Sequence, residues 1–89
     1  MISIKIFLRE ACPKCPAMKE MAKRLKEQGM RVSQYDTDTA GGLAEASFYS
    51  VSSTPSLILE DEEAGEVKGW RGSVPTLEEV KPFLPGPVS

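Results

Sequence analysis

Ile2, Ile4, Ile6 and Leu8 alternate with Ser3, Lys5 and Phe7, the period-two signature of a strand. Phe7 on the second side of that alternation predicts a sheet covered on both faces. The strand is expected to run out near Arg9. Beyond it Met18, Met21, Ala22 and Leu25 recur at helical spacing, with Lys19, Glu20, Lys23, Arg24, Lys26 and Glu27 opposite them. Gly29 is a natural stop. Pro13 and Pro16 fit the first turn, where their missing N–H groups have no intrahelical partner to lose.

"MRVSQYD", 30–36, predicts a second strand that runs into polar "DTDTAGG", and "LAEASFYSV", 43–51, predicts a short helix. "STPSLILE", 53–60, reads as a compact apolar strand, reversed by the acidic turn "DEEAG" into a last strand, "EVKGWRG", 66–72. Thr76 and Glu79 form a T-x-x-E capping box ahead of a final helix that Pro82 cuts short. The order is β-α-β-α-β-β-α. Strands joined through a helix pair in parallel by a right-handed crossover, and strands joined by a short turn pair antiparallel. The fold class is therefore α/β: a mixed four-stranded sheet flanked by helices, one domain over 1–84, with "PGPVS", 85–89, as a tail.

Composition narrows what this frame does. No apolar run approaches the ~20 residues that cross a bilayer, and "MISIKIFLRE" does not read as a secretory signal. The cytoplasm is the expected location. A net charge of −2 without a basic run sets nucleic-acid binding aside. The charge is unevenly spread, with eight Lys/Arg against three acids in residues 1–31 and three against ten in the rest. There is no histidine, which removes the usual general base and the usual metal ligand.

The only two cysteines, Cys12 and Cys15, sit in "EACPKCPAM" where the first strand hands over to the first helix. A thiolate attacks disulfides and a thiol does not. At a helix N-terminus unpartnered N–H groups and the dipole favour the anion, so the Cys12 pKa is expected to fall from about 8.5 towards neutrality. Arg9 and Lys14 add positive charge beside it. Cys15, one turn along and more inward, suits a resolving thiol that attacks the mixed disulfide on Cys12. A C-x-x-C near a β-α-β pattern is a fairly specific redox signal. Two idle core cysteines are the bland alternative, but a strand-to-helix turn is normally exposed, which does not suit Cys12. A structural zinc wants four ligands, more than one histidine-free chain with two cysteines supplies, so no metal site is assigned.

Strand, "CPKC" and helix in that order resemble the active site of the glutaredoxins and small thioredoxin-like redoxins. "VSSTPSLIL", about forty residues later, resembles the Thr-Pro segment before the third strand of that fold. The resemblance covers essentially the whole chain and implies a minimal thioredoxin (glutaredoxin-like) fold. It implies a cis Thr54–Pro55 bond, which turns the Thr54 backbone towards Cys12 as a β-strand partner for an extended substrate. Gly72 and Ser73 line the same surface by this resemblance, and Arg9 and Lys14 complete the expected substrate-binding set. Trp70 is expected as core or sheet cover.

The chain departs from glutaredoxins in carrying Lys14 where they usually have an aromatic residue, and in having Gly72 without a second glycine. The expected reductant is therefore either glutathione or a flavoprotein thioredoxin reductase. The expected activity is that of a protein-disulfide reductase, an electron-transfer redoxin working through a reversible Cys12–Cys15 disulfide. No bound cofactor is needed and a monomer is expected. The rival from another class is a metal or Fe–S carrier using the same thiolates, since soft thiolates suit Cu(I). A binding module with idle cysteines is the third reading.

Overall fold

The alternating start of the chain becomes β1 (Ile2–Leu8), and the amphipathic stretch after the cysteines becomes α1 (Cys15–Glu27). These follow in a computed structural model that describes residues 2–84, so the expected tail at 85–89 lies outside the described residues. Then come β2 (Arg31–Asp36), α2 (Ala40–Phe48), β3 (Ser56–Asp61), β4 (Gly65–Arg71) and α3 (Leu77–Val80), which passes into a 3-10 turn at Lys81–Phe83. This is the expected order. The sheet runs β2-β1-β3-β4. β1 pairs parallel with β2, Leu8 opposite Asp36, and antiparallel with β3, Phe7 opposite Ser56. β3 and β4 form the antiparallel hairpin, with a register shift at Leu59/Glu60.

The period-two pattern sorts β1 between two cores. Ile2, Ile4, Ile6 and Leu8 pack with Leu57 and Leu59 against Met18, Met21, Ala22 and Leu25 of α1 and Val80 of α3. Phe7 and Ile58 face the other way, onto Ala46 and Val51 from α2 and the loop after it. Trp70 is half-buried against the larger core, edge-on to Phe83 at 6.0 Å between ring centres. On the α2 side Lys5 lies 5.7 and 5.8 Å from the ring centres of Tyr35 and Tyr49, with its Nζ 3.9 Å from Glu60. The Tyr49 hydroxyl donates to Glu60 at 2.8 Å. Burial first, and then that carboxylate, push the Tyr49 phenol well above its ordinary pKa.

Three local expectations need correction. α1 begins at Cys15 with Lys14 as N-cap, so Pro16 is inside the first turn while Pro13 lies in the turn before it. α2 starts at Ala40 and ends at Phe48, not over 43–51, because the Thr39 hydroxyl accepts from the Gly42 N–H at 3.0 Å and caps it earlier. The stretch "TAGG" is thus a cap and first turn. Cys12, expected exposed, is only 9% exposed. The Thr76–Glu79 capping box forms as expected, with Glu79 N–H donating to Thr76 Oγ1 at 3.2 Å and Thr76 N–H to Glu79 Oε1 at 2.9 Å. Among the described residues no helix is long and apolar enough to cross a membrane.

The two glycines of α2 stand in opposite surroundings. A Cβ on Gly42 would run into the backbone carbonyl of Asp36, whereas one on Gly41 meets nothing within 4 Å. Gly42→Ala is expected to destabilise by about 1–3 kcal/mol, the scale of overpacking against atoms that cannot rotate away. Gly41→Ala is expected to be neutral or to stabilise by up to about 1 kcal/mol. Urea unfolding of the two variants checks this pair, and equal midpoints would contradict it.

Candidate active site

The sheet register brings three separate stretches of chain to one end. β1 leaves the sheet at Leu8, whose carbonyl accepts from both the N–H and the hydroxyl of Thr37, at 2.8 and 3.2 Å. β3 enters the sheet at Ser56 opposite Phe7, which sets Pro55 and Thr54 beside Leu8 and Arg9. The turn after β4 arrives at the same place, because Gly72 N–H donates to Pro55 O at 2.9 Å. Gly72 has φ +79°, a left-handed turn that glycine adopts without strain. The chain therefore turns sharply at the point where it meets Pro55.

Cys12 and Cys15 are joined by a disulfide, with 5.3 Å between their Cα atoms. Cys15 is the first residue of α1, and its N–H donates to Cys12 O at 3.3 Å, closing a tight turn around the pair. Cys15 is 2% exposed and Cys12 9%, and both join the larger apolar core. The expected contrast in exposure is thus small in the oxidised pair. α1 has no side-chain cap, so no capping oxygen competes for the N–H groups at its start. With the Cys15 N–H donating to Cys12 O and Pro16 lacking one, the Ala17 N–H and the helix dipole are left to stabilise negative charge on sulfur.

The other sequence-predicted site residues lie on the loops that meet at this end of the sheet. The Thr54–Pro55 bond is cis. Pro55 is buried and Thr54 half-buried. Among the described residues no hydrogen bond engages the backbone N–H or C=O of Thr54. Lys14 is exposed between the two cysteines, and Ser73 is exposed one residue past the half-buried Gly72. Arg9 is exposed and lines two grooves, one on each side of it.

The first groove, about 310 Å³, lies between Arg9, Thr37 and Asp38 on one side and Leu43, Val51 and Thr54 on another. The second, about 320 Å³, runs past Arg9, Glu10 and Lys19 to Gln34 and Asp36 at the β2 edge. The Glu10 N–H donates to Asp38 at 3.3 Å and fixes the loop before the cysteines. Sequence reasoning did not anticipate Thr37, Asp38 or Leu43. The available signal was their place just after a parallel strand, since residues beyond the C-terminal ends of such strands share one end of an α/β sheet. Among the described residues no three His, Cys, Asp or Glu side chains come together as a metal site. A metal carried by the pair would draw its remaining ligands from outside this chain.

Comparison with known proteins agrees with this geometry. A family described as Thioredoxin domain matches residues 2–85. A probable thioredoxin of Archaeoglobus fulgidus is 34% identical over 62 residues, 68% of either chain. A thioredoxin from Thermus thermophilus, solved in solution, superposes with a TM-score of 0.68 at 30% identity, over 92% of this chain and 70% of that one. Thioredoxin O2 from Arabidopsis thaliana in its oxidised state has a TM-score of 0.74 at 16% identity, over 93% and 71% of the two chains, a likeness of fold alone. With a C-x-x-C pair at the strand-to-helix turn of such a fold, the chain belongs to the thioredoxin-domain family and is a dithiol–disulfide redox protein.

Proposed function

We propose that this chain is a cytoplasmic, monomeric reductase of protein disulfides, with Cys12 as nucleophile and Cys15 as resolving thiol. The observation that carries the reading is the disulfide at the start of α1 with a Thr54 backbone on the neighbouring loop that has no partner among the described residues. In the reduced protein the Cys12 thiolate attacks one sulfur of the substrate disulfide. That S–S bond breaks, a Cys12–substrate disulfide forms, and the departing thiolate takes a proton from water. Cys15 then loses its proton and attacks the Cys12 sulfur, releasing the second substrate thiolate. Two electrons have passed to the substrate, and the Cys12–Cys15 disulfide remains.

Each neighbouring residue has a part in that scheme. Thr54 offers its N–H and C=O to an extended substrate segment, as an added strand does at a sheet edge. Pro55 presents a ring with no donor and no charge next to the sulfurs. Gly72 and Ser73 form the opposite rim. Arg9 and Lys14 favour the thiolate and meet acidic groups on the substrate, an effect weakened by salt because both are exposed. The electron donor is glutathione, two thiols of which reduce one disulfide, or a flavoprotein thioredoxin reductase.

An insulin-reduction assay with dithiothreitol tests the reading. The parent protein should accelerate precipitation of the insulin B chain, Cys12→Ser should abolish that, and Cys15→Ser should accumulate a covalent adduct with substrate. A parent rate no greater than dithiothreitol alone would favour a carrier or an idle pair instead. In the reduced protein, peptide mapping after brief alkylation at neutral pH should find Cys12 labelled far ahead of Cys15. Equal labelling would remove the division of roles. Lys14→Glu should make the reduction potential more negative by about 10–20 mV, as a nearby anion disfavours the thiolate by roughly 0.5–1 kcal/mol. Equilibration against glutathione buffers measures it, and a rise in potential would show that Lys14 does not act on Cys12 electrostatically.

A further inference from the structure

Ser56 is the one polar side chain fully buried among the described residues, at 0% exposure. A hydroxyl withdrawn from water destabilises the fold unless it is paired, and this one is paired twice. It donates to Ser53 O at 2.7 Å and accepts from Gly72 N–H at 3.2 Å. The first bond closes a three-residue arch over Ser53, Thr54 and Pro55. The second ties the foot of that arch to the turn after β4, where the same Gly72 N–H also reaches Pro55 O at 2.9 Å. The two loops are in close approach, since a Cβ on Gly72 would come within 2.9 Å of Ser53 Oγ.

We infer that Ser56 is a positioning residue for substrate recognition: its hydroxyl holds the Thr54 arch against the Gly72 turn in the conformation that accepts an extended protein segment. The inference rests on the reading of Thr54 as the docking edge. Thr54 has no backbone partner of its own among the described residues, so its direction is set by its two neighbours on the arch, Ser53 and Pro55. Ser53 is held by the Ser56 hydroxyl, and Pro55 by the Gly72 N–H that the same hydroxyl also engages. Without it the Gly72 N–H keeps Pro55 O, but Ser53 O loses its only internal donor among the described residues. The half-buried Thr54 then samples more than one orientation while the cysteine turn, built on β1 and α1, is unaffected. A protein disulfide that must pair with Thr54 is hindered. A small disulfide that needs only the Cys12 sulfur is not.

Ser56→Ala removes the hydroxyl. Ser56→Thr and Ser56→Val form a second, matched pair in which any disturbance from the added methyl group is shared and only the oxygen differs. Insulin, with dithiothreitol as reductant, reads docking; single-turnover reduction of 5,5′-dithiobis(2-nitrobenzoate) by the reduced protein reads the thiol alone. Ser56→Ala should raise KM for insulin about three- to tenfold, the scale of one net hydrogen bond, with kcat and the small-disulfide rate held within about twofold. Ser56→Val should show the same split relative to Ser56→Thr, even if the alanine variant does not fold. An unchanged KM in the folded variants overturns the inference, as does a parallel fall in both reactions, which would mark the hydroxyl as a general stabiliser. A parent protein that reduces the small disulfide but no protein disulfide overturns the reductase reading itself, and the inference with it.

Discussion

The pairing of β1 with β3 is the constraint on which the redox end of this molecule depends. β1 is central, hydrogen-bonded on both edges, and buried on both faces by side chains of alternating direction. A one-residue slip against β3 would exchange Leu57 and Leu59 for Ile58 on the large core, so the register is strongly specified by burial. With Phe7 fixed opposite Ser56, the loop that leaves β1 and the loop that enters β3 must lie side by side. The cysteine turn is carried by one of them and Thr54 by the other. No contact between the loops themselves is needed to set this arrangement; the apolar core does it from below.

Much of this was legible because two periodicities and a few special residues carry it. The alternation in 2–8, the helical spacing of Met18, Met21, Ala22 and Leu25, and the capping box at Thr76 each describe a local preference that the tertiary structure satisfies. Cys12, Cys15, Thr54 and Pro55 could be tied to one site through family resemblance. Other features were not legible, for identifiable reasons. The early start of α2 hangs on one hydroxyl, Thr39, and on two glycines that propensity alone assigns to a loop. The first groove beside Arg9 is lined by Asp38, Leu43 and Val51, residues distant from Arg9 in sequence that the fold brings near. Cys12 is buried as part of the larger core, and no pattern of exposure along a chain encodes that.

Charge is arranged differently on the two sides of the sheet. The core under α1 and α3 is apolar, and the sulfurs belong to it. On the α2 face Lys5, Glu60 and the phenols of Tyr35 and Tyr49 share one half-buried group, where the lysine is both ion-paired and stacked over rings. Arg71 extends it outward, donating to Glu66 and to the Tyr49 carbonyl at 2.8 and 2.7 Å. These polar contacts anchor the C-terminal end of α2 to β3 and β4, where apolar contact is sparse.

That sparseness has a consequence for motion. Fourteen of the described buried residues form the core beneath α1, and four form the one beneath α2. A nine-residue helix with two glycines has little stability of its own and borrows it from what it covers. α2 is therefore the thin wall of the domain, and its amides are expected to exchange with solvent ahead of those in β1. Leu43 and Val51, at the two ends of this wall, line the groove that leads to Thr54. The groove beside Thr54 can thus breathe and re-form, while the disulfide sits on the half with the larger core.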